Sequence, residues 1–324
     1  MILIITNKND VTTDLVVNEL NNRKENYYRF NTEELGVSID VNLNLTQNTY
    51  FITDNKKGIS VDLGEVKSVY YRRPELPDFK GIQLKEGEKQ FWCNEIYYTL
   101  EGLYKILRHK FWISPVFAIR EAENKIYQII LAQELGLKVP FSLVTTVPNE
   151  ARNFIKTNNN NCIIKPIKVG LIKDRDNPQI IFTNKLGQEQ INSIDRISNC
   201  PTYFQDNIQK SADLRVTVVG NQVLSAQINS QVYEDTKIDW RNGDNIRLKY
   251  SSIELPIALK QKCLELTKRL SLNYGAIDFV LDENGEFIFL EINPNGQWGW
   301  VDKRLNLGIG NAIVDLLMKA GVEE

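Results

Sequence analysis

The sequence predicts an α/β chain assembled from α+β lobes. Three observations carry that prediction: strand and helix signals alternate from the first residue, polar-faced hairpins interrupt them, and an Asn-Gly turn near the C-terminal end joins two strand-like runs. At 324 residues the chain exceeds what one core usually organises, so two or three subdomains around a shared cleft are expected. Apolar residues at 42% and charged residues at 25% are those of a folding globular chain. Thirty-nine basic residues nearly balance forty-one acidic ones and form no long run, which argues against a nucleic-acid partner. Apolar stretches such as Phe287 to Ile292 are far shorter than the ~20 residues of a membrane helix, so no membrane association is expected. Met1 to Thr6 has no basic leader and reads as a buried first strand, the expectation for a cytoplasmic protein. Cys93, Cys162, Cys200 and Cys263 are scattered and read as packing residues rather than a disulfide or zinc framework. The single His109, between Arg108 and Lys110, excludes a poly-histidine metal site and leaves a Ser-His-Asp hydrolase poorly supported.

In chain order, a buried strand (Ile2 to Thr6), an amphipathic helix (Thr12 to Asn22) and a strand (Tyr27 to Asn31) open an α/β layer. It has no GxGxxG turn, which disfavours a dinucleotide site. The alternation from Val41 to Asp62 predicts hairpin strands, Val66 to Tyr71 a buried strand ending in Arg72-Arg73-Pro74, and Glu86 to Lys105 a helix with Phe91, Ile96, Leu100 and Leu103 on its apolar side. A boundary is placed near Trp112 to Pro115. Arg120 to Leu135 then reads as one helix ended by Gly136, followed by a strand (Ser142 to Thr146), a helix (Asn149 to Thr157) and a strand (Cys162 to Pro166). After the polar segment Lys168 to Pro178, strand-like runs cover Gln179 to Thr183, Thr202 to Ile208, Arg215 to Gly220 and Val223 to Ile228. A helix from Pro256 to Leu270 leads into the strands Tyr274 to Asp282 and Glu286 to Asn293 around Asn284-Gly285, and Gly308 to Ala320 closes the chain as a helix. The expected division is 1–115, 116–195 and 196–324.

The last hairpin carries the chemistry. Glu291 and Asn293 are two apart on one strand and share a face, and Asp278 comes from the partner strand. Hard oxygen ligands in such small number suit magnesium, whose remaining positions go to water and nucleotide phosphates. A solvated polar face is the plain alternative, but Phe279, Val280, Phe289, Leu290 and Ile292 surround the trio, and acids in that setting need a partner. Lys165 at a strand end before Pro166, and Lys125 on the preceding helix, are candidate phosphate contacts. Either alone reads as a surface charge.

Across essentially its whole length the sequence resembles the ATP-grasp superfamily, and within it the graspetide synthetases, the microviridin-type peptide maturases. The carriers are VYYRRP (Val69 to Pro74), REAENKIYQIILAQELGLKVP (Arg120 to Pro140), IIKP (Ile163 to Pro166), YFQDNIQKSADLRVTVVGNQVLSAQI (Tyr203 to Ile228), DWR (Asp239 to Arg241) and AIDFVLDENGEFIFLEINPNGQW (Ala276 to Trp298). The resemblance implies an ATP-grasp fold with an N-terminal pre-ATP-grasp α/β domain, a central lobe and a C-terminal lobe gripping ATP. It further implies that Lys125 and Lys165 contact phosphates, that Gln205, Asp206, Asn207 and Ile208 run along adenine, and that Asp278, Glu291 and Asn293 hold Mg2+. The loop after Lys165 departs from many ATP-grasp enzymes in having the single Gly170. The implied reaction is macrocyclisation of a ribosomal precursor peptide with a leader and an acidic, Thr-rich core. ATP converts an Asp or Glu side chain to an acyl phosphate, and a Thr or Ser hydroxyl or a Lys amine displaces the phosphate.

Within that reading Arg215 is the candidate guanidinium at the developing oxyanion. Asp213 is a candidate proton acceptor, with a plain ion pair to Arg215 as the equal alternative. Arg241 and Trp240 would meet the acidic core peptide, against a surface loop with one buried aromatic, and Arg72 and Arg73 would present cations at the cleft edge, against a solvated strand end. Asn295, Gly296, Gln297 and Trp298 would shape the floor. A homodimer is compatible with the resemblance. The competing readings are a carboxylate-amine ligase that adds an amino acid to a peptide or protein terminus, and a nucleotide-binding regulatory module without turnover.

Overall fold

A computed structural model describes residues 1–168, 170–172, 179–242 and 247–319. The chain begins with β1 (Ile2–Thr6), α1 (Val11–Asn22) and β2 (Tyr27–Asn31). All five residues of β1 are buried, because the strand runs parallel between two neighbours and is covered on both faces. Asp10 starts α1 by accepting hydrogen bonds from the backbone of Thr12 and Thr13. β3 (Ile39–Asn44), β4 (Thr49–Asp54) and β5 (Ile59–Asp62) form the expected antiparallel hairpins, with Ile39, Ile52 and Val61 turned to the core. β6 (Ser68–Tyr71), α2 (Glu86–Ile106) and β7 (Phe111–Trp112) complete a parallel sheet ordered β2-β1-β6-β7. Only the C-terminal part of α2 is buried, through Leu100, Leu103 and Tyr104; Phe91, expected on its apolar side, stands in solvent.

The single helix expected from Arg120 to Leu135 is two helices, α3 (Val116–Ala122) and α4 (Lys125–Glu134). Asn124 separates them: its side-chain oxygen accepts from the backbone of Ile126 and Tyr127, an N-cap that the continuous apolar spacing concealed. The central lobe follows with β8 (Ser142–Thr145), α5 (Pro148–Thr157), β9 (Cys162–Lys165), the short pair β10 (Leu171–Ile172) and β11 (Gln179–Ile180), β12 (Asn184–Lys185), α6 (Gln188–Asn192) and β13 (Thr202–Asp206). Its antiparallel sheet is ordered β12-β9-β13-β8. Of the polar segment after Lys168, residues 169 and 173–178 lie outside the described residues. Gly170 is fixed by space, since a Cβ there would collide with the Ile181 carbonyl oxygen and the Pro166 ring.

The C-terminal lobe is an antiparallel sheet ordered β16-β15-β14-β17-β18, built from β14 (Lys210–Val219), β15 (Gln222–Ile228), β16 (Tyr250–Ser252), β17 (Tyr274–Asp282) and β18 (Phe287–Asn293). α7 (Ile257–Arg269) and α4 pack on one side of it through Leu266, Leu131, Phe279 and Phe289. Beyond β18 the chain adds α8 (Gly299–Leu305), which the sequence reading omitted, and α9 (Ile309–Lys319); Ala320 lies outside the described residues. α9 joins the two ends of the chain: Ile313 and Val314 share a core with Ile2, Ile4, Val16 and Trp298. Cys162 and Cys263 are buried as packing residues, whereas Cys200 is exposed and Cys93 partly exposed, so those two do not pack. Among the described residues no helix is long and apolar enough to cross a membrane.

Candidate active site

Three adjacent strands place Arg215, Asp278 and Glu291 in one row across the sheet. A bulge makes this possible. Asp278 pairs with Glu291 while Phe279 pairs with Phe289, which leaves Leu290 as the extra residue of β18. Strict alternation would put Phe289 and Glu291 on one face. The inserted residue lets Phe289 fill the core against the Phe279 ring, 5.8 Å away, while Glu291 and Asn293 face the cleft with Asp278. The Asn293 amide donates to Asp278 Oδ2 at 3.1 Å and to Glu291 Oε1 at 3.3 Å, so the expected trio does converge.

Cations balance these acids. Arg215 Nε donates to Asp278 Oδ1 at 2.8 Å, and Lys125 Nζ lies 2.9 Å from Glu291 Oε2. Burial opposes ionisation of Glu291, but Lys125, Arg241 and Lys165 outweigh it and hold the carboxyl at about 2. Burial pushes Asp278 upward despite Arg215, and the neighbouring Glu291 charge adds to the rise. Lys125 is the first residue of α4, and its ammonium also reaches the Pro166 carbonyl at 3.4 Å, next to Lys165. The Lys165 ammonium sits 4.5 Å above the Tyr203 ring, and burial lowers it to about 8, with Glu291 opposing the shift and Lys125 and Arg241 adding to it.

Gln128, a residue the sequence reading passed over, fixes α4 to β18. Its amide donates to the carbonyls of Ala122 and Ile292, and its oxygen accepts from the Ile292 backbone, so the helix bearing Lys125 and the strand bearing Glu291 are tied together. A glutamine on the apolar side of a helix was the available signal.

The cleft wall opposite the acids is formed by Ile163, Lys165 and the run Gln205, Asp206, Asn207 and Ile208, of which the last two lie beyond the end of β13. Asp213 does not pair with Arg215. Lys210 binds both of its oxygens, at 2.7 and 2.8 Å, and burial pushes its carboxyl up while Lys210 pulls it down. Lys210 was also missed: three residues apart on a strand normally means opposite faces, and only the register shift between Lys210 and Ala212 brings it to Asp213. Arg241 forms a fork with Asp239, both contacts at 2.8 Å, and stands 3.9 Å from Glu291. Trp240 is buried against Trp300, ring centroids 5.0 Å apart, which places it in the wall as the buried aromatic of its loop. Residues 243–246, which follow Arg241, lie outside the described residues.

Arg72 is not at the cleft edge. It is 1% exposed, lies 3.2 Å from Asp10 Oδ2, and donates to the Gly296 carbonyl at 3.0 Å and to Gln297 Oε1 at 2.6 Å. Its charge is needed inside to neutralise Asp10, so it fixes the 294–298 turn instead of meeting substrate. The same turn receives Arg215 Nη1 on the Gln297 carbonyl and the Tyr274 hydroxyl on the Gly296 carbonyl. Arg73, the next residue, is exposed.

The donor set fits a hard divalent cation. Two carboxylates and one amide converge, and turning the Asn293 amide would present its oxygen where its nitrogen now lies. Two carboxylates and one amide are fewer than the six ligands magnesium takes, so such an ion would complete its shell with water and phosphate oxygens.

Residues 1–120 match the family model of the MvdD pre-ATP grasp domain, and residues 122–317 match that of the RimK-like ATP-grasp domain. The chain is similar to the macrocyclase MdnC of Microcystis aeruginosa MRC, solved with the precursor peptide MdnA, at 28% identity and TM-score 0.87 over 99% of this chain and 100% of that one. It is similar also to a RiPP-associated ATP-grasp ligase of Chryseobacterium gregarium, solved with ADP and a leader and core peptide, at 29% identity and TM-score 0.89 over 98% and 96% of the two chains. Among curated proteins, human N-acetylaspartylglutamate synthase A is 28% identical over 122 residues, 36% of this chain and 30% of that protein, so the match spans less than a third of that relative.

Proposed function

The chain belongs to the RimK-like ATP-grasp family, and from that premise we propose that it is an ATP-dependent ligase that closes side-chain rings in a ribosomal precursor peptide. The observation that carries the reading is the meeting of Asp278, Glu291 and Asn293 with Lys125 and Lys165 in the cleft between two antiparallel sheets. The similarity to two peptide-bound ligases over nearly the full chain supports a peptide substrate.

A carboxylate is a poor electrophile, so the reaction needs it phosphorylated first. A side-chain carboxylate oxygen of an Asp or Glu attacks the γ-phosphorus of ATP, the bond to the β-phosphate oxygen breaks, and an acyl phosphate and ADP result. A Thr or Ser hydroxyl, or a Lys amine, then attacks the acyl carbon. It forms an ester or amide, loses its proton and releases inorganic phosphate. Lys125 and Lys165 bind phosphate oxygens. Gln205, Asp206, Asn207 and Ile208 line the place for the base. Asp278, Glu291 and Asn293 would hold magnesium, which when bound neutralises charge on the phosphates. Arg215, oriented by Asp278 and the Gln297 carbonyl, offers its planar donors to the acyl oxyanion. Asp213 holds the Lys210 ammonium at the wall, and Arg241, aimed by Asp239, faces the anionic reactants. The lobe boundaries near residues 115 and 195 follow the same reading.

Mass spectrometry of a precursor peptide co-expressed from a neighbouring reading frame tests the proposal. Loss of one water per crosslink is expected, with no loss in the Lys165→Ala variant. An unmodified peptide beside an enzyme that adds a free amino acid would move the assignment to the carboxylate-amine ligases.

A pH dependence follows from Lys165. Its folded value, about 8, lies below the ordinary lysine value, so the ammonium needed for phosphate is lost as pH rises through about 8. The kcat/KM for ATP is expected to fall above that pH, about tenfold per unit. Lys165→Arg, which stays charged, is expected to abolish the fall; an unchanged limb in that variant would rule out Lys165 as its origin.

A further inference from the structure

The two arginines that follow β6 are used differently. Arg72 is buried and neutralised by Asp10, whereas Arg73 is exposed and holds a left-handed backbone, φ +47°. A residue with a Cβ takes that conformation at a cost glycine avoids, and it persists where neighbours impose it. Here they do: the Asn7 amide donates to the Arg73 carbonyl at 2.6 Å, and just beyond it the Glu75 backbone and the Thr32 hydroxyl exchange two hydrogen bonds. A strained arginine kept where glycine would sit more easily points to a use for its side chain.

That side chain lines a second cleft, of about 540 Å³, between the end of β6, α2, α3 and the turn after β18. Three cations line it, Arg73, Arg120 and Lys168, against the single acid Glu123. Arg120 is engaged by both oxygens of Glu101, but among the described residues neither Arg73 nor Lys168 forms an ion pair, and the one acid that acts on Arg73 from a distance, Asp10, is already paired with Arg72. The cleft adjoins the active site along the chain. Asn295 lies two residues beyond Asn293, and Lys168 three beyond Lys165. Chain neighbours of Asn293 and Lys165 thus line this second opening.

We propose that this cleft is an anion subsite for a second carboxylate of the peptide substrate, one that is bound and not activated, with Arg73 and Lys168 as its specificity-determining cations. The proposal rests on the peptide-ligase reading above. A guanidinium matches a carboxylate with two parallel donors, and a site that leaves those donors unpaired rejects the corresponding amide.

The test compares two precursor peptides, one with an acidic core and one in which the acid beside the activated residue is replaced by its amide. Wild-type enzyme is expected to prefer the acidic core by roughly 10- to 100-fold in kcat/KM. Arg73→Gly relieves the left-handed strain, so its melting temperature should equal or exceed that of wild type, which separates loss of function from loss of fold. It is expected to reduce the acidic core to the level of the amide core through KM for peptide, with KM for ATP unchanged, and Arg73→Lys should retain part of the preference. Equal losses on both peptides, or no loss on either, in an enzyme that still crosslinks would overturn the subsite alone. A wild type that crosslinks neither peptide would overturn the ligase reading and the subsite with it.

Discussion

Glu291→Gln is expected to lower crosslinking turnover by about 10²- to 10³-fold while the protein stays folded. The substitution keeps the shape and removes the charge at the centre of the site. Lys125, 2.9 Å away, loses its counterion and Lys165 loses the acid that offsets it, while Arg241 keeps its fork with Asp239. Lys125 keeps the Pro166 carbonyl and is about one-fifth exposed, so the stability cost should be no more than about 1–3 kcal/mol, below that of breaking a fully buried pair. The effects on ligands should have opposite signs. Removing a negative charge beside the triphosphate leaves binding of metal-free nucleotide as tight or tighter, while half-maximal activity requires more magnesium. Calorimetric titration with ATP, with and without magnesium, separates the two. Turnover within a factor of about three of wild type would remove Glu291 from the metal assignment. Asp278→Asn should lose as much turnover, and in addition it frees Arg215 from its carboxylate.

The parts of this site that lie close together in the chain were legible in its sequence. Asp278, Glu291 and Asn293 sit on two strands joined by a tight Asn-Gly turn, so alternation put Glu291 and Asn293 on one face and the turn put Asp278 on the neighbouring strand. The bulge at Leu290 was not legible, because only the packing of Phe289 on Phe279 decides which face each residue takes. Lys125 was found by its order along the chain, but its position at a helix start depends on the Asn124 cap, which looked like any polar residue in a helical pattern. Asp213 and Arg215 share a strand face and looked like partners. The pairs that form instead, Asp213 with Lys210 and Arg215 with Asp278, follow from burial and from the register of β14 on β17. The contact between Arg72 and Gln297 spans 225 residues, and no local spacing marks it.

That long-range contact gives the second large effect. Arg72→Met is expected to destabilise the protein by about 3 kcal/mol and to lower turnover with it. Methionine can follow the path of the arginine stem, but it leaves Asp10 buried without its cation. Asp10 retains the hydroxyls of Thr6 and Thr13 and the backbone of Thr12, Gly296 retains the Tyr274 hydroxyl, and Gln297 retains the Thr12 hydroxyl. These remaining bonds put the cost at the lower end of the range for a broken buried pair. The loss reaches the active site because the turn held by Arg72 also carries the Gln297 carbonyl that orients Arg215. Asp10→Asn removes the stranded charge, so the double variant should recover part of the stability, and a thermal-melt cycle over the four proteins measures that coupling. The kinetic readout distinguishes a positioning residue from a substrate contact. A positioning Arg72 lowers kcat with little change in KM for peptide, whereas an unaltered melt together with a raised KM for peptide would return it to the cleft edge, where its place beside Arg73 first suggested it belonged.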